Sequence, residues 1–192
     1  MKILDTIPEI NMNDKIALLL RHADRDSIPN NEFGNEVLLN NKGIRHAIEY
    51  GVGLKPNKIS KIYTSPIRRC VQTAEYIMQG YGKEFPIIET VALGDPGLHV
   101  VDAKKVGAYY LKYGFWEMYD AFKNRELTDG FPTFEELKVG INDFIEHNSE
   151  EGLTLYITHD AVIAFYAYVA NIKEYTELNW VNYLEGLTFK LN

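Results

Sequence analysis

The stretch KIALLLRHADRDSIP, Lys15 to Pro29, drives a run of aliphatic side chains straight into Arg21-His22-Ala23-Asp24-Arg25 and then breaks at Ser27-Ile28-Pro29. A short continuous apolar run is the mark of a strand buried on both faces, and such a strand is central in its sheet. The charged burst that follows therefore sits at the strand's carboxyl end. In a mostly parallel sheet the carboxyl ends of neighbouring strands converge on one crevice, where ligands bind.

Outward from this strand, strands and helices alternate. VLLNNKGIRHAIEYGVGL, from Val37, reads as a helix capped by Asn40 or Asn41, with Ile44, Ala47 and Ile48 on its inner face. KISKIYTS is a second short strand, with Ile59, Lys61 and Tyr63 alternating against Ser60, Ile62 and Thr64; Pro66 then opens a helix, SPIRRCVQTAEYIMQGYG. Pro86 to Val91 is a third strand. From Leu98 to about Ser149 the pattern turns helical and aromatic, and the run from Tyr109 to Phe122, with Lys104 and Lys105, reads as a helical core stripe or as the lining of a substrate pocket. Thr133 and Glu136 form a capping box ahead of a buried stripe of Leu137, Ile141, Phe144 and Ile145. LTLYITHD is a strand feeding the helix AVIAFYAYVANI, and LEGLTFKL closes as a strand. This alternation predicts a three-layer α/β/α sandwich with a mostly parallel central sheet. The expected organisation is one domain over residues 1–192, with the segment at about 98–149 shaping a substrate pocket.

Composition narrows the function. Apolar residues make up 46% of the 192 and charged residues 24%, an ordinary globular balance. A formal charge of -7 argues against a nucleic-acid surface, which needs a clustered positive field. Any anion must be held by a local group of cations working against that background. No apolar segment approaches membrane-spanning length, and the N-terminal MKILDTIPEINMNDK lacks a secretory signal, so no membrane partner is expected and the cytoplasm is the expected compartment. Cys70 is the only cysteine, which excludes an internal disulfide and a cysteine metal cage; it reads as a packing residue on a helix.

Each ionisable motif lies directly after a strand: Arg21 to Arg25 after the first, Thr64-Ser65-Pro66-Ile67-Arg68-Arg69 after the second, Thr158-His159-Asp160 after the late one. Two histidines and several arginines are thus expected to face one another. Guanidinium forks match phosphate oxygens and neutralise charge that develops during phosphoryl transfer. An imidazole among cations is held neutral, and its free nitrogen is a nucleophile. His46, His99 and His147 read as structural residues.

RHADR, SPIRRCVQTAE and THDAV, in that order and joined by Leu39-Asn40-x-x-Gly43, resemble the histidine phosphatase superfamily. Its hallmarks are an Arg-His-Gly motif, a Ser-Pro-x-x-Arg helix start and a second His after a late strand. The resemblance implies a phosphoglycerate mutase-like fold and a phosphatase that works through a phosphohistidine on His22, with no metal and no cofactor. It further implies that Arg21, Arg69 and His159 bind the phosphoryl group, with Arg25 a further candidate and Arg68 on the variable position. Ser65 would support its turn. The proton donor is either Asp160, as in the acid phosphatase branch, or a mid-chain acid, Asp95 or Glu89. Ala23 departs from the family's Gly, a change that is tolerated if the backbone there needs no positive φ. The expected partner is a small phosphorylated substrate or a phosphoprotein.

Three other readings compete. His22-x-Asp24 and His159-Asp160 have plausible metal-ligand spacing, which neighbouring arginines oppose. A binding module that has lost turnover would fit Ala23. A mutase on the same fold requires a captured phosphoglycerate that takes the phosphoryl group back.

Overall fold

The computed structural model describes residues 14–29, 32–94 and 96–191. Asp95, a candidate proton donor, lies outside these, as does most of the N-terminal segment. The order of elements is β1 (Lys15–Arg21), α1 (Asn41–Gly53), β2 (Ile59–Thr64), α2 (Arg68–Tyr81), β3 (Ile87–Glu89), α3 (Ala103–Tyr113), α4 (Phe115–Lys123), α5 (Phe134–Asn148), β4 (Gly152–Thr158), α6 (Asp160–Val169) and β5 (Gly186–Leu191). The five strands form one sheet in the order β3-β2-β4-β1-β5. β1, β2, β3 and β4 run parallel, and β5 lies antiparallel on β1.

The apolar run of β1 divides between two cores because successive side chains point to opposite faces. Ile16, Leu18 and Leu20 join Leu153, Leu155 and Ile157 of β4 beneath α1 and α2, where Ala47, Leu54, Cys70, Ala74 and Ile77 close the layer. Ala17 and Leu19 face the other way with Tyr156, into a core built by Met118, Tyr119, Phe122, Leu137, Ile141, Ile145 and the apolar side chains of α6. Burial on both faces is why this strand has no polar alternation.

Local signals set most of the boundaries. Asn40 caps α1 by accepting from the Gly43 amide, and Thr133 and Glu136 make the reciprocal capping box of α5. The helix after β2 starts at Arg68, two residues later than Pro66 predicts, because Ser65 and Pro66 are spent on the turn. Strict alternation in β2 also fails. Ile59 and Ile62 share a face, since the register of the pairing with β4 shifts between Ile59 and Lys61. On α1, Ala47 is buried with Tyr50 and Gly51, whereas Ile44 and Ile48 are half-buried at the margin. Phe144 is likewise half-buried, its ring set edge-on to Tyr63 and Tyr156. Among the described residues, no helix is long and apolar enough to cross a membrane.

Candidate active site

The carboxyl ends of three neighbouring strands are pinned together by backbone hydrogen bonds. His22 N donates to Thr158 O and Ser65 N to Ile157 O, each at 2.9 Å. This brings residues 22, 65 and 159 to one point. The rings of His22 and His159 lie 5.4 Å apart between centroids, at 68° to each other.

Arg69, in the first turn of α2, joins the two rings. Its Nε donates to His22 Nε2 at 3.1 Å, one terminal nitrogen donates to His159 Nδ1 at 3.2 Å, and the other donates to the Gly34 carbonyl at 2.7 Å. An arginine only donates, so both imidazole nitrogens that face it carry lone pairs. The protons then lie on the far sides. His22 Nδ1–H donates to the Ala23 carbonyl at 2.8 Å, and His159 Nε2–H donates to Ser65 Oγ at 2.9 Å. Burial, aided by His159, Arg69 and Arg21, holds His22 well below the usual imidazole pKa. Burial and then Arg69 bring His159 down to about 3. Both rings are neutral at physiological pH.

The loop carrying His22 is fixed from below. Ala23 N donates to Thr73 Oγ1 at 3.0 Å, and that hydroxyl donates to Arg69 O at 2.8 Å, so the nucleophile candidate and its arginine share one support. Asp24 is buried and turns to Lys42 at 2.7 Å and His46 at 2.9 Å, anchoring the loop on α1. It is therefore not paired with His22 as the metal-ligand spacing suggested. Gly43 lets α1 approach this loop, because a Cβ there would stand 2.0 Å from Asp24 O. Ala23 has no positive φ, so a side chain is accommodated where the family has Gly. Gly94 is different: at φ +143°, a Cβ would meet His159 Cδ2 at 2.6 Å and Ser65 Oγ at 3.0 Å.

His22, Arg25, Arg69, His159 and Asp160 all line one cleft of about 670 Å³. Arg21 does not. Its side chain is 8% exposed and lies behind the cleft, bonded to Asp160 Oδ2 at 2.7 Å and to the Val181 carbonyl, with its guanidinium 4.1 Å over the Tyr183 ring. Asp160 also accepts from the Trp180 indole at 3.1 Å and from the Ala161 amide at 3.0 Å. Burial favours the protonated acid, but Arg21 and then Trp180 outweigh it and keep Asp160 below the ordinary carboxylate range. Arg25 is half-buried on the cleft wall and donates to the Asp26 carbonyl at 2.7 Å. Arg68 points outward to Glu75. Glu89 is exposed at the end of β3 and does not line the cleft. Burial pushes the Cys70 thiol up to about 12, so the neighbouring Arg69 does not activate it.

Several site residues carry no motif. Thr73 lies one helical turn beyond Arg69, and Trp180 and Tyr183 fall in an irregular segment after α6. His99 is buried as a structural histidine should be, yet it lines the cleft; burial alone brings it down to about 4, and its Nδ1 has no partner among the described residues. The aromatic run also divides. Tyr119 and Phe122 are core, whereas Tyr110 and Phe115 line the cleft together with Met118.

Comparison with known proteins bears on the family and the fold. The sequence profile of the histidine phosphatase superfamily, branch 1, matches residues 17–182. The chain is 28% identical, over 165 residues, to a 2,3-bisphosphoglycerate-dependent phosphoglycerate mutase of Thermoplasma acidophilum, covering 83% of this chain and 78% of that protein. Among solved structures, a phosphoglycerate mutase from Bacillus anthracis str. Sterne superposes with a TM-score of 0.56 at 16% identity, over 94% of this chain and 92% of the other. A mycobacterial glucosyl-3-phosphoglycerate phosphatase gives 0.56 at 15% identity, over 89% and 87%. At such identities the two structures speak for the fold alone.

Proposed function

The chain belongs to branch 1 of the histidine phosphatase superfamily, and on that footing we propose that it is a metal-independent phosphomonoester hydrolase acting through a phosphohistidine on His22. The observation that carries this reading is the Nε2 lone pair of a buried, neutral His22, directed at the Arg69 guanidinium and beside the second ring of His159.

In the first step His22 Nε2 attacks phosphorus in line, a P–N bond forms, and the bond from phosphorus to the ester oxygen breaks. The leaving oxygen takes a proton from a carboxylic acid. In the second, water attacks phosphorus, the P–N bond breaks, and the water's proton passes to the carboxylate. Arg69, with Arg25 at the wall, holds the phosphoryl oxygens; His159, an acceptor towards Arg69 in the unliganded site, joins them by taking up a proton with the dianion, and Arg21 acts from behind through Asp160. Catalysis is mostly positioning and electrostatics, as phosphoryl transfer generally is. Asp160 and Asp95 are the two candidates for the acid. The pairing of Asp160 with Arg21 and Trp180 favours its ionised form, which suits a base and works against a donor.

The mutase reading has support from the Thermoplasma acidophilum relative. It differs only in what receives the phosphoryl group. Rapid quench with p-nitrophenyl phosphate, followed by mass spectrometry, is expected to find covalent phosphate on His22. Adding 3-phosphoglycerate then separates the readings. Diversion of that phosphate to the added acceptor would establish a mutase, continued release as inorganic phosphate a phosphatase, and absence of any covalent phosphate a binding protein.

A further inference from the structure

The cleft, at about 670 Å³, is larger than a phosphoryl group requires, and few of its lining residues are charged. Among the described lining residues the fixed cations are Arg25 and Arg69, set against the carboxylate of Asp160. Arg25 donates to a backbone carbonyl through one terminal nitrogen and has no partner at Nε among the described residues, so it is free to join Arg69 at the phosphoryl group, whereas Arg21 is held outside the cleft by Asp160 and Val181. A phosphate dianion on Arg69 and Arg25 leaves no further fixed cation among the described lining residues for a second anionic group. Ser27, Asn35 and His99, the other polar lining groups, are uncharged.

The rest of the wall is apolar and aromatic: Val100, Val106, Tyr110, Phe115, Met118 and Trp180. Phe115 stands edge-on to Trp180, with centroids 5.0 Å apart at 69°, and Tyr110 stacks on Phe33 at 5.4 Å and 23°. Ring faces and edges of this kind receive another ring well, and Met118 adapts its shape to it. They receive a carboxylate badly, since its desolvation there goes uncompensated.

We propose that this cleft takes the phosphate monoester of an uncharged, ring-bearing alcohol or phenol, with the ring against Phe115, Tyr110 and Trp180 and no second anionic group. This assignment rests on the phosphoryl-transfer reading of the same site. It argues against phosphoglycerate, whose carboxylate would meet the apolar wall.

Equilibrium binding to the full wild-type chain tests the assignment without turnover. Methylphosphonate, 1-naphthylmethylphosphonate and 3-phosphoglycerate are titrated in turn. The naphthyl compound is expected to bind about tenfold tighter than methylphosphonate or better, and 3-phosphoglycerate no tighter than methylphosphonate. An aromatic gain below tenfold, or tighter binding of 3-phosphoglycerate than of methylphosphonate, overturns it. Phe115→Ala should cut the aromatic gain, and retention of the full gain counts against the ring contact. If that variant also loses inorganic phosphate, the wild-type ranking alone decides. A phosphotyrosine peptide titrated beside phenyl phosphate identifies the source of the ring: tighter peptide binding puts it on a protein, equal or weaker binding on a small molecule, and both support the ester class. Failure to find phosphohistidine on His22 would overturn the phosphatase reading and leave this binding order unaffected.

Discussion

Arg69 Nε and His22 Nε2 are joined at 3.1 Å, so the nitrogen that would attack phosphorus is covered by a donor that would hold a phosphoryl oxygen. One hydrogen bond thus does two things in the unliganded site. It fixes the tautomer of His22 with the lone pair inward, and it keeps the guanidinium ordered before any anion arrives. A phosphate that takes over the donors of Arg69 uncovers the nucleophile as it binds.

His22→Ala is expected to abolish hydrolysis of p-nitrophenyl phosphate and all covalent labelling, with the melting temperature close to wild type. The ring contributes one backbone hydrogen bond to its own loop, while Thr73 and Asp24 hold that loop independently. Turnover retained in the variant would remove His22 as nucleophile.

Arg69→Ala should lower kcat/KM by about two orders of magnitude or more, the scale of losing a donor to developing transition-state charge. Arg69→Lys should recover little of this, because a compact ammonium cannot reach His22, His159 and the Gly34 carbonyl together. Steady-state kinetics that show near-complete rescue by lysine would reduce the arginine to a simple point charge.

The acid is identified by comparing Asp160→Asn with Asp95→Asn on an alkyl phosphate, whose poor leaving group needs protonation, and on an aryl phosphate, which needs it less. The true donor loses at least about tenfold more on the alkyl ester. Asp160→Asn is expected to depress both esters alike, since it frees Arg21 behind the cleft rather than removing a proton. A selective alkyl defect in Asp160→Asn would instead make it the donor.

Stability should decline with acid because the buried imidazoles resist protonation. Burial brings His99 down to about 4 and, with Arg69, His159 down to about 3, against 6.5 for an exposed ring. The unfolded chain therefore binds more protons between these limits. Stability is complete above about pH 6.5 and falls as pH drops from there towards the folded-state values. At pH 5 His99 alone should cost about 2 kcal/mol relative to pH 7. Urea midpoints at the two pH values should show a smaller drop for His99→Phe than for wild type, and equal drops would contradict the burial argument.

The residues most legible in the sequence are those whose chemistry and backbone role coincide. KIALLL could only be a strand covered on both sides, and RHADR, SPIRR and THD each follow a strand, so topology alone brings His22, Arg69 and His159 together. What escaped did so for identifiable reasons. The register shift at Ile59/Lys61 leaves no mark on composition, so β2 looked like a simple alternation. A helical period shows which side chains share a face but not whether that face meets core or cleft, and this hid the different fates of Tyr119 and Phe115. Trp180 and Tyr183 occupy irregular backbone, where no periodicity points to a partner. Arg21 and Asp160 were both visible as site residues, but only coordinates reveal that they neutralise each other.

The antiparallel seat of β5 on β1 carries a consequence for biosynthesis. β1 has β4 and β5 as its two sheet neighbours, and both are made only from Gly152 onward. As the ribosome delivers the chain, one of the most apolar segments waits with two open hydrogen-bonding edges until Gly152 and later residues emerge. Such delayed, long-range pairing is slow and leaves a nascent strand exposed to wrong partners. The strand that carries His22 is thus made before both of its neighbours and completed only by them.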